Sequence, residues 1–112
     1  MTDDPAAKIA ARLTELWRTS RPTVLERMTL LHASCDTLTQ DPADGEARAS
    51  AREAAHKLSG VLGVFGLPQG SALASSIEDV LLAPEPLTAE DLSTLQDLIA
   101  DLDAVIASKP DR

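Results

Sequence analysis

Aromatic side chains are nearly absent: the 112 residues contain one tryptophan, one phenylalanine and no tyrosine. A sheet would lack the aromatic residues that fill a pleated surface, whereas alanine and leucine, which dominate the chain, favour helix. Cysteine occurs once, at Cys35, so no internal disulfide can form, and the chain reads as cytoplasmic. Positive charge is scarce. Ten lysines and arginines stand against 18 aspartates and glutamates, a formal net charge of −8, which argues against nucleic acid or an anionic membrane as partner. No apolar run approaches the roughly 18 residues of a membrane span, and Met1-Thr2-Asp3-Asp4 is the opposite of a basic signal-peptide start. What the chain does have is 44% apolar residues, enough for one modest core in a single domain spanning residues 1–112.

The apolar residues recur at helical spacing. Asp3 or Asp4 followed by Pro5 is a helix start, with the stripe Ile9, Leu13, Leu16 and Trp17 after it. Thr19-Ser20-Arg21-Pro22 reads as a restart, because proline is tolerated in a first turn; Leu25, Met28, Leu31, Cys35 and Leu38 then share one face. Asp41 to Gly45 punctuates the chain, and a helix is expected over 43–65, stopped by Gly66 in the left-handed conformation. Leu73, Ile77, Val80 and Leu81 mark a return helix over 68–83. Ala83-Pro84-Glu85-Pro86 is a loop that its prolines keep from being helical. Thr88 to Asp91 resembles a capping box opening a last helix over 88–107, striped by Leu92, Leu95, Ile99, Leu102 and Ile106. Short connections between amphipathic helices imply antiparallel neighbours. The expected fold is therefore all-α: an up-down antiparallel four-helix bundle over 21–107, a short additional N-terminal helix within 1–20 capping one end, and a tail at 108–112.

One helix carries a feature that packing does not require. With His56 at zero and about 100° per residue, Gly60 lies near 40°, Gly63 near −20°, Arg52 near −40° and Ser59 near −60°. Ala47, Ala51, Ala54, Leu58, Val61, Leu62 and Phe65 fall at roughly 140–240°, on the opposite side. The helix buries one face and clears the other around a lone imidazole. Glycine within a helix costs about 1 kcal/mol relative to alanine, and clearance for an approaching partner accounts for Gly60 and Gly63 there.

The run Ala55-His56-Lys57-Leu58-Ser59-Gly60, continuing through Gly63, Phe65-Gly66, Gly70-Ser71 and Leu73 to Ile77-Glu78, resembles the histidine-containing phosphotransfer (HPt) family of two-component relays. The resemblance implies that His56 accepts a phosphoryl group and that Gly60 clears space for the partner, with Gly63 and Val64 on the same docking surface. It implies response-regulator receivers or a histidine kinase as partners for a monomeric carrier that needs no cofactor or metal of its own, Mg²⁺ being held by the receiver. Many members carry lysine three residues after the histidine, where this chain has Ser59. Lys57, Arg52 and Ser59 are the candidates for stabilising the phosphoryl group. Lys57 is favoured, because its flexible stem can bend toward the ring while Glu53 or Glu46 engages Arg52.

The chemistry fits. A neutral imidazole, with an ordinary pKa of about 6.5, offers a lone pair for in-line attack on an aspartyl phosphate, and phosphoryl transfer asks for positioning and charge stabilisation more than covalent help. The rival readings are an interaction module that binds a receiver or kinase without carrying phosphate, and a hydrolase with His56 as general base, which would need a nucleophile and a water-excluding cleft. Elsewhere the expectations are structural. His32 is read as a partly buried imidazole beside Met28 and Cys35, Cys35 as a small core residue, and Trp17 as a packing anchor. Asp97, Asp101 and Asp103 are read as a solvated face.

Overall fold

The computed structural model describes residues 4–83 and 86–110. They form four helices, α1 (Pro5–Gln40), α2 (Gly45–Val64), α3 (Pro68–Leu81) and α4 (Ala89–Ala107), with no strand among the described residues. Each helix packs on its neighbours in chain order, and α4 closes back onto α1. The core is aliphatic, built on Leu31, Leu38, Leu58, Leu62, Ile77, Leu81, Leu95 and Leu102. The stripe foreseen for the last helix is buried in full.

The helix ends follow local chemistry. The Asp4 carboxylate accepts from the Ala6 amide at 3.0 Å, with Pro5 in the first turn. Asp44 caps α2 by accepting from Ala47 N–H at 3.0 Å. Thr88 and Asp91 form the reciprocal capping box of α4, each bond 3.0 Å. At the end of α2, Gly66 adopts φ +73°; the Leu67 amide donates to Leu62 C=O at 3.0 Å and the Gly66 amide to Gly63 C=O at 3.3 Å. That pair of bonds satisfies carbonyls the helix would otherwise leave open and reverses the chain. Pro84 and Glu85, in the proline loop foreseen from sequence, lie outside the described residues.

The expected break near residues 18–21 does not occur. A separate capping helix is replaced by one 36-residue rod that runs through Pro22. Proline in a helix interior costs about 3 kcal/mol, but Trp17 on one side of Pro22 and Val24 on the other are both buried in the same core. Packing holds the two halves in line. Pro22 itself is exposed. At about 1.5 Å per residue α1 is about 54 Å long, close to the molecule's 59 Å long axis and far beyond its 19 Å width. Residues 5–16 are all exposed, Ile9, Leu13 and Leu16 included, so the first stripe projects beyond the bundle instead of packing over its end. In the second stripe Val24, not Leu25, faces the core.

Trp17 anchors the rod. It is 1% exposed, meets Phe65 edge-on at 5.2 Å, and donates from Nε1 to the Pro110 carbonyl at 3.0 Å. Lys109 Nζ stands 5.7 Å from its ring centroid. The start of the tail is thereby folded back onto α1; Asp111 and Arg112 lie outside the described residues. Arg48 makes a second tie across the chain, donating from Nε to Leu81 C=O at 2.8 Å and from Nη2 to Ala83 C=O. A guanidinium at the C-terminus of α3 satisfies orphan carbonyls and opposes the helix dipole. No helix among the described residues is long and apolar enough to cross a membrane.

Candidate functional site

The site lies on the seam between α2 and α3 and is set by the turn that joins them. His56 and Glu78 lie eleven residues on either side of Leu67, Ser59 and Ser75 eight, Gly63 and Ser71 four. An antiparallel hairpin brings such equidistant residues together, and each pair is in contact. His56 Nδ1 is 3.1 and 3.3 Å from the two carboxylate oxygens of Glu78. Ser59 Oγ and Ser75 Oγ are 2.8 Å apart. A Cβ on Gly63 would stand 3.5 Å from Ser71 Oγ.

The histidine side chain is 74% exposed and its glutamate partner 24%. A carboxylate only accepts hydrogen bonds, so Nδ1 carries the proton and donates it to Glu78. That bond places the lone pair of the neutral ring on Nε2, in a side chain that is largely exposed. The sequence analysis did not single out Glu78 as a partner for the ring. The signal was present: residues equidistant from Gly66-Leu67 had only to be paired.

The cations are arranged differently from expectation. Lys57 Nζ pairs with Glu53 Oε1 at 2.8 Å, one turn earlier on α2, and this bond and charge hold the Glu53 carboxyl below its usual range. Glu53 thus engages Lys57 and not Arg52, the reverse of the pairing on which Lys57 was favoured. The (i, i+4) spacing with the acid N-terminal favours this pair, whereas adjacent residues 52 and 53 do not face each other. Arg52 is exposed and lines one shallow hollow with Ala49, Glu53, His56 and Glu78. Ser59 is half-buried and turned to α3: besides its bond to Ser75, its carbonyl accepts from Ser71 Oγ at 2.7 Å. Of the three candidates, Arg52 alone borders the hollow beside His56 without a competing partner among the described residues.

On the far side of the histidine α2 is open. A Cβ at Gly60 would meet nothing within 4 Å, and Val64 is 66% exposed. Gly63 is exposed too, but a Cβ there would meet Ser71 of α3.

His32 differs from expectation. It is exposed, not partly buried, and its Nε2 lies 2.7 Å from Asp103 Oδ2, tying α1 to α4 on the helix pair that excludes the His56 seam. Asp97 and Asp101 are solvated as foreseen, and Cys35 is buried, which together with the neighbouring Asp36 charge pushes its thiol pKa up. No group of three His, Cys, Asp or Glu side chains among the described residues is arranged to hold a metal ion.

An exposed imidazole, backed by a carboxylate on an adjacent helix and bordered by open glycine, can present one ring nitrogen to a reactant from outside. No curated protein and no solved structure matches the chain. A family model does: the Hpt domain, over residues 7–105. That stretch takes in all of α2 and α3 with their turn, and His56 and Glu78 with them; the chain belongs to the Hpt domain family, whose members are phosphocarriers of two-component systems that work with receiver domains and kinases.

Proposed function

We propose that this chain is a phosphocarrier in which Nε2 of His56 accepts a phosphoryl group from a receiver aspartate or a histidine kinase and passes it to the aspartate of a response-regulator receiver. The observation that carries the reading is the Glu78 carboxylate on Nδ1, which leaves Nε2 as the nucleophile. In the forward step the Nε2 lone pair forms the N–P bond as the acyl O–P bond of the aspartyl phosphate breaks, the electron pair leaving with the aspartate carboxylate. Positive charge develops on the ring with the proton still on Nδ1, and the Glu78 carboxylate opposes it. Return to a second aspartate reverses these movements. Positioning and charge stabilisation dominate such transfers, and Mg²⁺ on the receiver supplies what the carrier lacks.

Arg52 is the cation best placed to stabilise phospho-His56, with Lys57 secondary because Glu53 competes for it. Gly60, Gly63 and Val64 form the docking border. The short connections and ring of helix contacts support an up-down antiparallel order. In this reading the carrier works as a monomer among cytoplasmic partners. The test is to incubate the chain with a phosphorylated receiver and follow the label. Transfer to an acid-labile, base-stable bond on His56 is expected; stable binding of the receiver with no label on the chain would make it an interaction module instead.

A further inference from the structure

The three serines of the α2–α3 seam are the least expected polar group in the molecule. Ser59, Ser71 and Ser75 are all half-buried between the two helices. Ser59 Oγ lies 2.8 Å from Ser75 Oγ and 3.4 Å from Ser71 Oγ, and Ser71 Oγ donates to the Ser59 carbonyl at 2.7 Å. Hydroxyls can both donate and accept, so the trio satisfies itself without water or an outside ligand. Among the described residues neither Ser59 nor Ser75 bonds to His56 or Glu78.

Their placement relates them to the site. Ser75 precedes Glu78 by three residues on α3, and Ser59 follows His56 by three on α2, so each serine lies one turn from a member of the His56–Glu78 pair. Side chains this short hold two helices at one separation, and hydroxyl bonds between them allow little sliding. A Glu side chain has three rotatable bonds and, left alone, samples many positions around an exposed ring. Its carboxylate meets Nδ1 only where α3 keeps one height and one distance from α2.

We propose that Ser59 and Ser75 are positioning residues that act through Glu78: their hydroxyl bond fixes the α2–α3 register so that the carboxylate holds His56 in the tautomer with the proton on Nδ1. This rests on His56 being the acceptor and assigns Ser59 a task other than contact with the phosphoryl group. A lysine there would extend toward the phosphate; the serine instead faces α3.

The test has two readouts. Imidazole nitrogen shifts in the unphosphorylated protein report the tautomer of His56, and the rate of labelling by a phosphorylated receiver reports the chemistry. The Ser59→Ala/Ser75→Ala variant should show a mixture of tautomers and transfer about tenfold more slowly, within the hundredfold that a displacement of about 1 Å can cost. Ser59→Thr alone, which keeps a hydroxyl opposite Ser75, should leave both at the wild-type level. In a Glu78→Ala background the serine changes should have no further effect on rate, because their action passes through the missing carboxylate. An unchanged tautomer in the double variant, or rate losses that multiply in the Glu78→Ala background, would overturn the proposal. If wild-type His56 takes no label, the carrier reading fails, while the tautomer ratio still decides the role of the serines.

Discussion

Lys57 and Glu53 are joined at 2.8 Å along one flank of α2, and that bond determines which cation stands ready beside His56. Arg52, one turn before the histidine, borders the same hollow. Arg52→Ala should therefore slow labelling of His56, or shorten the life of the phosphorylated form, several-fold more than Lys57→Ala does. The difference should shrink at high salt, because exposed charges are screened over about 8–10 Å at ordinary ionic strength. Lifetimes of both variants at two salt concentrations check this, and a larger loss for Lys57→Ala would return the role to the lysine.

His56→Gln should abolish acceptance while leaving the fold intact. The ring is largely solvent-exposed, and exposed substitutions usually fall within about 0.5 kcal/mol. Labelling with a phosphorylated receiver and a thermal melt together decide it. A variant still labelled at His32 would move the acceptor to the α1–α4 side.

Gly60 separates docking from stability. Nothing lies within 4 Å of a Cβ at this position, so Gly60→Ala should stabilise the helix by up to about 1 kcal/mol. Gly60→Gln should fold equally well and transfer more slowly, because its longer side chain occupies the approach to the ring. Rates unaffected by both changes would remove this face from the docking surface.

Trp17 carries the connection between the rod and the bundle. Trp17→Ala should cost about 3–5 kcal/mol, the range for truncating a buried aromatic. Trp17→Phe should lose less, chiefly the bond to the Pro110 carbonyl, at about 0.5–1.5 kcal/mol. Denaturant melts measure both.

The Cys35 thiol is raised by burial and by Asp36. A thiol ionises more easily in the unfolded chain, whose value is about 8.5. Its contribution to stability is full below that value and is lost as pH rises through the folded one. Melting temperature should therefore begin to fall above about pH 8.5, and Cys35→Ala should remove that part of the slope. Alkylation at pH 9 should be slow in the native protein and fast in urea.

Much of this was legible in the chain, and the misses share a cause. Helix ends at Asp4, Gly66 and Thr88–Asp91 are local chemistry, settled within four or five residues, and they agree with the structure. The wheel that set His56 opposite the apolar arc was likewise local. Pro22 was misread because a strong local signal was overruled by distant packing: Trp17 reaches residues more than forty positions away, Phe65, Lys109 and Pro110. The Arg48 bonds to Leu81 and Ala83 carry no periodic signature at all. Ser59 looked solvent-facing because a helix wheel knows nothing of the neighbouring helix. Glu78 was intermediate, since the turn position was known and only the pairing across it was left undone.

The turn at Gly66-Leu67 makes the site unusually vulnerable to one kind of change. Point substitutions alter one rung at a time, but deleting or inserting a single residue in the turn would change the register of α3 against α2 as a whole. Ser71, Ser75 and Glu78 would leave their partners together, even though every site side chain was still encoded. A change in turn length would therefore act on Ser71, Ser75 and Glu78 at once, where a point substitution acts on one of them.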